Sequence, residues 1–284
     1  MSQPLVELGG APEAPVMHFA IANGFVPEIY IPLLQPFFAD YRVVSLPPRA
    51  LWDGIPAPAF GTNEWDIMAD DILAGMDEHG LDKVVAVGHS MGAVASVLAA
   101  LKQPERFTHL ILLDPTILLQ DLGKALQAAV RAGMAERIPM VEAAQHRINA
   151  FASVEAAEKH LRSKKVFSQW DEQALRNYAE FGTVSTSDNG GPRELRFSPA
   201  WEAYYYAAYT PLYDLLPQLN GLLPTLFIQA EDSNAFVPKT FREVQEIVPS
   251  ATYVQLQEQE HLFPMVIPQA VSQIIRDFLN NTLV

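Results

Sequence analysis

The sequence predicts an α/β protein with a mostly parallel central sheet, helices on both faces, and an inserted helical cap. Short apolar runs alternate with helical segments up to residue 115 and again after residue 217. Continuous apolar runs, rather than polar and apolar alternation, are typical of parallel strands buried on both faces. We therefore expect residues 1–115 and 218–284 to form one core, and residues 116–217 to form the cap.

Four apolar runs predict the strands of the first part, at residues 16–21, 41–46, 84–87 and 110–113. The first run is followed by Asn23-Gly24 and the second by Pro47-Pro48, and both pairs are typical of turns. In the second part, residues 225–229 and 252–256 predict two further strands.

Apolar residues at helical spacing predict a helix that starts near Asn63 and ends at Gly80. Thr62 or Asn63 is expected to cap its first turn. Its buried face is predicted to consist of Trp65, Met68, Ala69, Ile72, Leu73 and Met76. Three further core helices are expected at residues 94–101, after Pro238, and at 268–279.

In the cap region the strand signal disappears, and alanine-rich helical stretches are separated by glycine and proline. Within it, helical spacing brings Trp201, Tyr205 and Tyr209 onto one face. Most aromatic residues of this segment are expected to pack the cap, and one or two of these three to line an apolar acyl or aryl pocket.

Composition limits the possible functions. The chain has 284 residues, 49% of them hydrophobic and 18% charged, as in a globular protein with a large core. It has no cysteine, which excludes a thiolate nucleophile. The net charge of −14 argues against nucleic acid or an anionic membrane as a partner and favours an uncharged substrate. No signal peptide is apparent, so a cytoplasmic location is expected. Neither a metal nor a cofactor is predicted.

The sharpest motif is Gly88-His89-Ser90-Met91-Gly92, which follows the predicted strand 84–87 and precedes the helix 94–101. A serine at such a turn is held in a strained conformation with its hydroxyl exposed, and the glycines allow the strand and the helix to approach. The same turn places the Met91 amide at a helix N-terminus, where it can stabilise an oxyanion. A chance match rarely falls between a strand and a helix, so Ser90 is predicted to be a nucleophile.

With this motif in place, nearly the whole chain resembles the α/β-hydrolase superfamily. The resemblance implies the chain order serine, acid, histidine, and His261, which lies between the last strand and the last helix, suits the role of general base. It also implies that the Phe25 amide is the second oxyanion donor. Asn23 stands where the family usually has a histidine, but a backbone donor does not require that side chain.

The acid is the least regular member of the motif set. The resemblance implies a carboxylate in the loop after strand 225–229. Counting from the end of the strand gives Ser233, and counting back from Pro238 gives Asn234. Asp232 is the nearest carboxylate and is the favoured candidate. Asp114, at the end of strand 110–113, is the alternative, because some members of the superfamily place the acid there. An amide at Asn234 is the third possibility, although it stabilises an imidazolium less well.

These residues predict hydrolysis of a small apolar or aromatic ester through a Ser90 acyl-enzyme, without a cofactor. A serine at the turn, rather than an aspartate, argues against haloalkane dehalogenase or epoxide hydrolase chemistry. A carbon–carbon bond hydrolase, a thioesterase or lactonase, and a cofactor-free perhydrolase use the same three residues and remain open. An alternative of another class is a non-catalytic ligand-binding protein on the same scaffold.

Overall fold

The computed structural model describes residues 3–61, 65–187 and 191–283. The expected helix caps, Thr62 and Asn63, lie outside the described residues. Within these ranges, no helix combines the length and the apolar character needed to cross a bilayer.

A seven-stranded sheet forms the centre of the protein, in the spatial order β1-β3-β2-β4-β5-β9-β10. All neighbouring strands are parallel except β1, which pairs antiparallel with β3 at one edge. The strands are β1 (Val6–Gly9), β2 (Val16–Ala20), β3 (Arg42–Ser45), β4 (Val84–His89), β5 (Phe107–Leu113), β9 (Thr225–Ala230) and β10 (Thr252–Leu256). The predicted parallel sheet is confirmed, and β1 is an addition that the sequence pattern did not indicate.

Helices cover this sheet and connect its strands. Those of the core are α1 (Ile31–Leu34), α2 (Trp65–Glu78), α3 (Met91–Lys102), α9 (Pro238–Ile247), α10 (Phe263–Val266) and α11 (Pro268–Leu279). All six residues predicted for the buried face of α2 are buried. Because helix α3 lies against both α2 and the sheet, its residues 91–100 are all buried.

The segment between β5 and β9 contains α4 (Gln120–Arg131), α5 (Pro139–Gln145), α6 (Val154–Arg162), α7 (Glu172–Phe181) and α8 (Pro199–Ala207). The expectation of a purely helical segment was incomplete. It also forms a three-stranded antiparallel sheet of β6 (Ala150–Phe151), β7 (Thr183–Ser185) and β8 (Arg193–Leu195), in the order β6-β8-β7. Strands of two or three residues are too short to produce a visible alternation of polar and apolar residues.

The parallel arrangement brings the ends of six strands to one edge of the central sheet. The carboxyl ends of parallel strands lie at the same edge, where open α/β sheets bind their ligands. All six parallel strands end there, and the residues that follow β2, β4, β5, β9 and β10 include all the predicted catalytic and oxyanion residues.

Candidate active site

Ser90 occupies the turn between β4 and α3, and its backbone is strained. Its φ of 57° and ψ of −119° lie outside the regions that residues other than glycine usually adopt. The Ser90 amide donates to the carbonyl oxygen of Leu113 at 3.0 Å, and the Ser90 carbonyl accepts from the amide of Thr116 at 3.3 Å. Neighbouring residues on β5 and after it therefore hold the turn in this conformation.

Two glycines permit this turn. A Cβ at Gly88 would lie 2.6 Å from the backbone of Ala93, and a Cβ at Gly92 would lie 2.3 Å from the carbonyl oxygen of Ala20. Both distances are shorter than van der Waals contact allows with backbone that cannot move aside. The close packing of α3 against β2 and β4 thus requires glycine on both sides of Ser90.

The hydroxyl of Ser90 contacts the imidazole of His261. The distance from Ser90 Oγ to His261 Nε2 is 2.9 Å, which is that of a hydrogen bond. Ser90 Oγ also lies 3.0 Å from the hydroxyl of Thr116, a contact that the sequence motifs did not predict. The turn and a residue 171 positions later in the chain are therefore joined directly.

The other nitrogen of His261 contacts Asp114. His261 Nδ1 lies 2.6 Å from Oδ2 of Asp114, whose side chain is fully buried. The same carboxylate accepts from the Ala230 amide at 3.0 Å and from the Ser233 hydroxyl at 2.5 Å. A carboxylate accepts hydrogen bonds, so His261 Nδ1 carries its proton and Nε2 is left to accept from Ser90.

The favoured placement of the acid at Asp232 is corrected by this geometry. Asp232 is exposed at the rim of the site, and its amide donates to the carbonyl oxygen of Gln259. Ser233, which occupies one of the two counted positions, is buried and donates to Asp114, whereas Asn234 is exposed. The loop after β9 therefore supports a carboxylate that comes from the end of β5.

Asp114 reaches this position because of how β5 ends. It has a φ of 41°, and its amide donates to the carbonyl oxygen of Ile228 at 2.7 Å. The turn directs the carboxylate between β5 and β9, towards the loop that carries His261. The signal in the sequence was the Asp-Pro pair directly after an apolar strand, which is also a common turn start.

The two predicted oxyanion donors face the same cavity as Ser90. Phe25 and Met91 both line this cavity, and Met91 is the first residue of α3. No protein acceptor is found for either amide among the residues that the structure describes. Both residues that line the cavity thus keep an amide without an acceptor, as the predicted oxyanion role requires.

A buried relay joins the loop after β2 to the loop that carries His261. The Ala22 amide donates to the Tyr30 hydroxyl at 3.3 Å, and this hydroxyl lies 2.8 Å from Nδ1 of His89. His89 Nε2 lies 3.0 Å from the carbonyl oxygen of His261. Burial, and second the charge of a protonated His261, lower the pKa of His89 well below 6.5. Neutral His89 can accept from Tyr30 and donate to His261, so each group in the relay has a partner.

Side chains of the inserted segment hold the loop that carries Phe25. Asn23 Nδ2 donates to the carbonyl oxygen of Glu202 at 2.9 Å, and the Tyr178 hydroxyl donates to the carbonyl oxygen of Gly24 at 2.9 Å. Arg147 links the two residues that make these contacts, because it donates to the carboxylate of Glu202 and, at 2.8 Å, to the hydroxyl of Tyr178. Asn23, which replaces the family's histidine, is thereby tied to α8.

Ser90 and His261 open into a cavity of about 1170 Å³ between the sheet edge and the inserted segment. Of the three predicted pocket aromatics, Tyr209 lines the cavity, whereas Trp201 and Tyr205 do not. These two rings stack on each other with centroids 5.3 Å apart, inside the core. The face of α8 that meets the cavity carries Glu202 and Tyr206 instead. Helical spacing alone did not indicate which of the two aromatic faces is packed inside the core.

A hydroxyl, an imidazole and a carboxylate linked in this order can move a proton away from a serine oxygen as that oxygen attacks a carbonyl carbon. The site therefore contains the parts needed for acyl transfer. Within the described residues, no group of three histidine, cysteine, aspartate or glutamate side chains is placed to hold a metal ion.

Comparison with known proteins agrees with the fold. The model of the alpha/beta hydrolase fold family matches residues 28–266. The chain is 25% identical over 227 residues to 2-(acetamidomethylene)succinate hydrolase from Mesorhizobium japonicum, covering 79% of this chain and 73% of that protein. The crystal structure of E-2-(acetamidomethylene)succinate hydrolase superposes with a TM-score of 0.74 at 21% identity, covering 98% of both chains.

A shorter match is closer in sequence. The chain is 35% identical over 75 residues to an abhydrolase domain-containing protein of Schizosaccharomyces pombe. That match covers 26% of this chain and 28% of the relative.

Proposed function

The chain belongs to the alpha/beta hydrolase fold family, and we propose that within it the protein is a serine hydrolase that cleaves carboxylic esters. The observation that carries the proposal is the continuous hydrogen-bonded path from Ser90 through His261 to Asp114, with distances of 2.9 Å and 2.6 Å. In this proposal Ser90 is the nucleophile, His261 the general base and acid, and Asp114 the residue that orients the imidazole.

The reaction proceeds in two halves. His261 Nε2 takes the proton of Ser90 as the oxygen bonds to the ester carbonyl carbon, and the oxyanion accepts from the amides of Phe25 and Met91. The bond to the alcohol oxygen then breaks, and His261 gives its proton to that oxygen. A water molecule attacks the acyl-enzyme in the same manner, and Ser90 leaves with its proton restored. Asp114 stabilises the imidazolium in each half.

The cavity supports an ester with a substantial apolar part. Aromatic and aliphatic side chains of the inserted segment form much of its wall, among them Leu126, Phe151, Tyr206 and Tyr209. Ligand sites of this kind bind mainly through apolar contact, with a few polar groups that fix orientation. The related enzyme from Mesorhizobium japonicum is named for hydrolysis of 2-(acetamidomethylene)succinate, which is consistent with a hydrolytic role on this scaffold.

Labelling with a fluorophosphonate probe tests the nucleophile directly. We expect the wild-type protein to be labelled at Ser90, and Ser90→Ala to remain unlabelled with an unchanged circular dichroism spectrum. A folded wild-type protein that takes no label at Ser90 would contradict the proposal and favour a non-catalytic ligand-binding protein.

A substrate panel tests the reaction class. p-Nitrophenyl esters of increasing acyl length are compared with thioesters, lactones and a carbon–carbon bond substrate at equal concentration. We expect the highest kcat/KM on oxygen esters. A thioester, lactone or carbon–carbon substrate turned over at least tenfold faster than every ester would replace the ester assignment by that class.

A further inference from the structure

Basic side chains gather on the wall of the cavity formed by the inserted segment. His146 and Arg147 follow α5, His160 lies on α6, and Lys164 and Lys165 follow α6. All five line the cavity that contains Ser90 and His261. Such a grouping is unexpected in a chain with 19 lysine and arginine residues and a net charge of −14.

The charges in this group are compensated unequally. Arg147 is paired with Glu202, which lies beside it in the cavity wall. In contrast, no carboxylate of the described residues lies within 4.0 Å of the ammonium group of Lys164 or Lys165. Burial lowers the pKa of His160, and the charges of Lys164 and Arg147 lower it further. Lys164 and Arg147 thus both lie close enough to His160 to act on it electrostatically.

Apart from Glu202, which is paired with Arg147, the acidic lining residues lie elsewhere in the cavity. Asp232 follows β9 and Glu260 follows β10, so both belong to the sheet edge rather than to the inserted segment. The cavity is thus divided into a basic wall on the inserted segment and an acidic margin beside His261. A cleft wall of one sign focuses its potential on a ligand of the opposite sign.

We propose that the substrate carries a carboxylate in addition to the ester, and that Lys164, Lys165 and Arg147 form its binding site on the cavity wall. This inference rests on the proposed ester hydrolysis at Ser90 and specifies its substrate class. A carboxylate suits the site, because ammonium and guanidinium groups donate charge-assisted hydrogen bonds to its oxygens. The apolar side chains that line the same cavity, such as Phe151 and Tyr209, then contact the carbon chain that joins the two groups.

Half esters of dicarboxylic acids test the substrate class. The monoethyl esters of succinate, adipate and suberate are each compared with the diethyl ester of the same acid, which has the same chain but no free carboxylate. Ethanol release gives kcat/KM for each. For the best chain length we expect the half ester to be preferred by about tenfold or more, as one charge-assisted hydrogen bond allows.

A pair of double variants locates the site. Lys164→Met with Lys165→Met removes the two uncompensated charges, and we expect the preference for the half ester to fall by about tenfold, mainly through KM. The matched control is Lys124→Met with Lys159→Met, which changes the net charge equally at two exposed lysines that are not among the cavity-lining residues. The proposal is overturned if no half ester is preferred at any chain length, or if both double variants change the preference equally.

A binding measurement distinguishes failure of the carboxylate site from failure of the proposed ester hydrolysis. If neither ester is hydrolysed and Ser90 takes no label, the ester hydrolase proposal has failed. The carboxylate site is then judged by calorimetric titration of Ser90→Ala with succinate, adipate and suberate. It is retained if binding weakens about tenfold on adding Lys164→Met and Lys165→Met but not the control pair. It is rejected if no diacid binds or if both pairs weaken binding alike.

Discussion

The ring of His89 donates from Nε2 to the backbone carbonyl oxygen of His261 at 3.0 Å. The residue next to Ser90 therefore holds the main chain of His261. At its other nitrogen His89 contacts the hydroxyl of Tyr30, which also accepts from the amide of Ala22. One neutral imidazole thus connects the position of His261 with the loop that leads to the Phe25 amide.

Removing the Tyr30 hydroxyl should disturb this connection. Tyr30→Phe leaves Nδ1 of His89 and the Ala22 amide without a partner in a buried site, which costs about 1–3 kcal/mol. We expect the free energy of unfolding to fall by this amount and kcat on the best ester to fall with little change in KM. Urea denaturation and steady-state kinetics measure the two effects.

Tyr253→Phe is the matched control for this change. The Tyr253 hydroxyl donates to the carbonyl oxygens of Val244 and Val248, far along the chain from the relay. An equal loss of kcat in both variants would mean that the Tyr30 relay has no particular role in positioning His261.

Replacing Asp114 separates the two candidate acids. Asp114→Asn keeps the shape of the side chain but permits the wrong imidazole tautomer, and the expected loss of kcat is about 10⁴-fold. Asp232→Asn should lower kcat far less, because Asp232 is exposed and its backbone, rather than its carboxylate, bonds to Gln259. Ester turnover by the two variants at equal protein concentration is the measurement. A larger loss in Asp232→Asn would return the role of the acid to the loop after β9.

The Ser233 hydroxyl should matter for both stability and rate. It donates to Asp114 at 2.5 Å and accepts from the amides of Ala235 and Phe236. Ser233→Ala leaves the two amides unpaired and removes one hydrogen bond from Asp114, so we expect a loss of about 1–3 kcal/mol in unfolding free energy and a lower kcat. Ser250→Ala is the control, because that exposed hydroxyl also accepts from an amide, that of Gly221. Similar effects of the two variants would show that Ser233 does not specifically support the acid.

Stability should depend on pH through His18. Burial lowers the pKa of this fully buried residue from 6.5 to about 4, so the unfolded chain binds more protons than the folded protein between these values. The contribution of neutral His18 to the free energy of unfolding is complete above pH 6.5 and is lost as the pH falls towards 4. With one pKa unit equal to about 1.4 kcal/mol, the loss is about 3 kcal/mol.

Substituting the residue tests this dependence. His18→Gln should show a shallower fall of unfolding free energy between pH 6.5 and pH 4 than the wild-type protein does, whereas the exposed His146→Gln should follow the wild type. Urea denaturation across this range is the measurement. Parallel curves for the wild-type protein and His18→Gln would contradict the assignment.

Local patterns were sufficient for the six parallel strands of the central sheet, the turn at Ser90 and the buried face of α2. Each depends on neighbours within a few residues: a run of β-branched side chains, glycines two positions either side of a serine, or apolar residues every three or four positions. The chain order then indicated His261, which the structure places 2.9 Å from Ser90. These features were predictable because their physical causes are local or follow from the order of the strands.

Only the tertiary structure shows that Asp114, rather than Asp232, contacts His261, because both aspartates follow strands that end at the same edge of the sheet. In the loop after β9, the residue next to Asp232 is Ser233, and its hydroxyl donates to Asp114. The pairing of β5 with β9 brings Asp114, instead of Asp232, to His261. Likewise, the net charge of −14 is a sum over the chain and carries no information on location. Packing of distant segments around one cavity placed Arg147, Lys164 and Lys165 on a common wall, and that depends on contacts that no local spacing encodes.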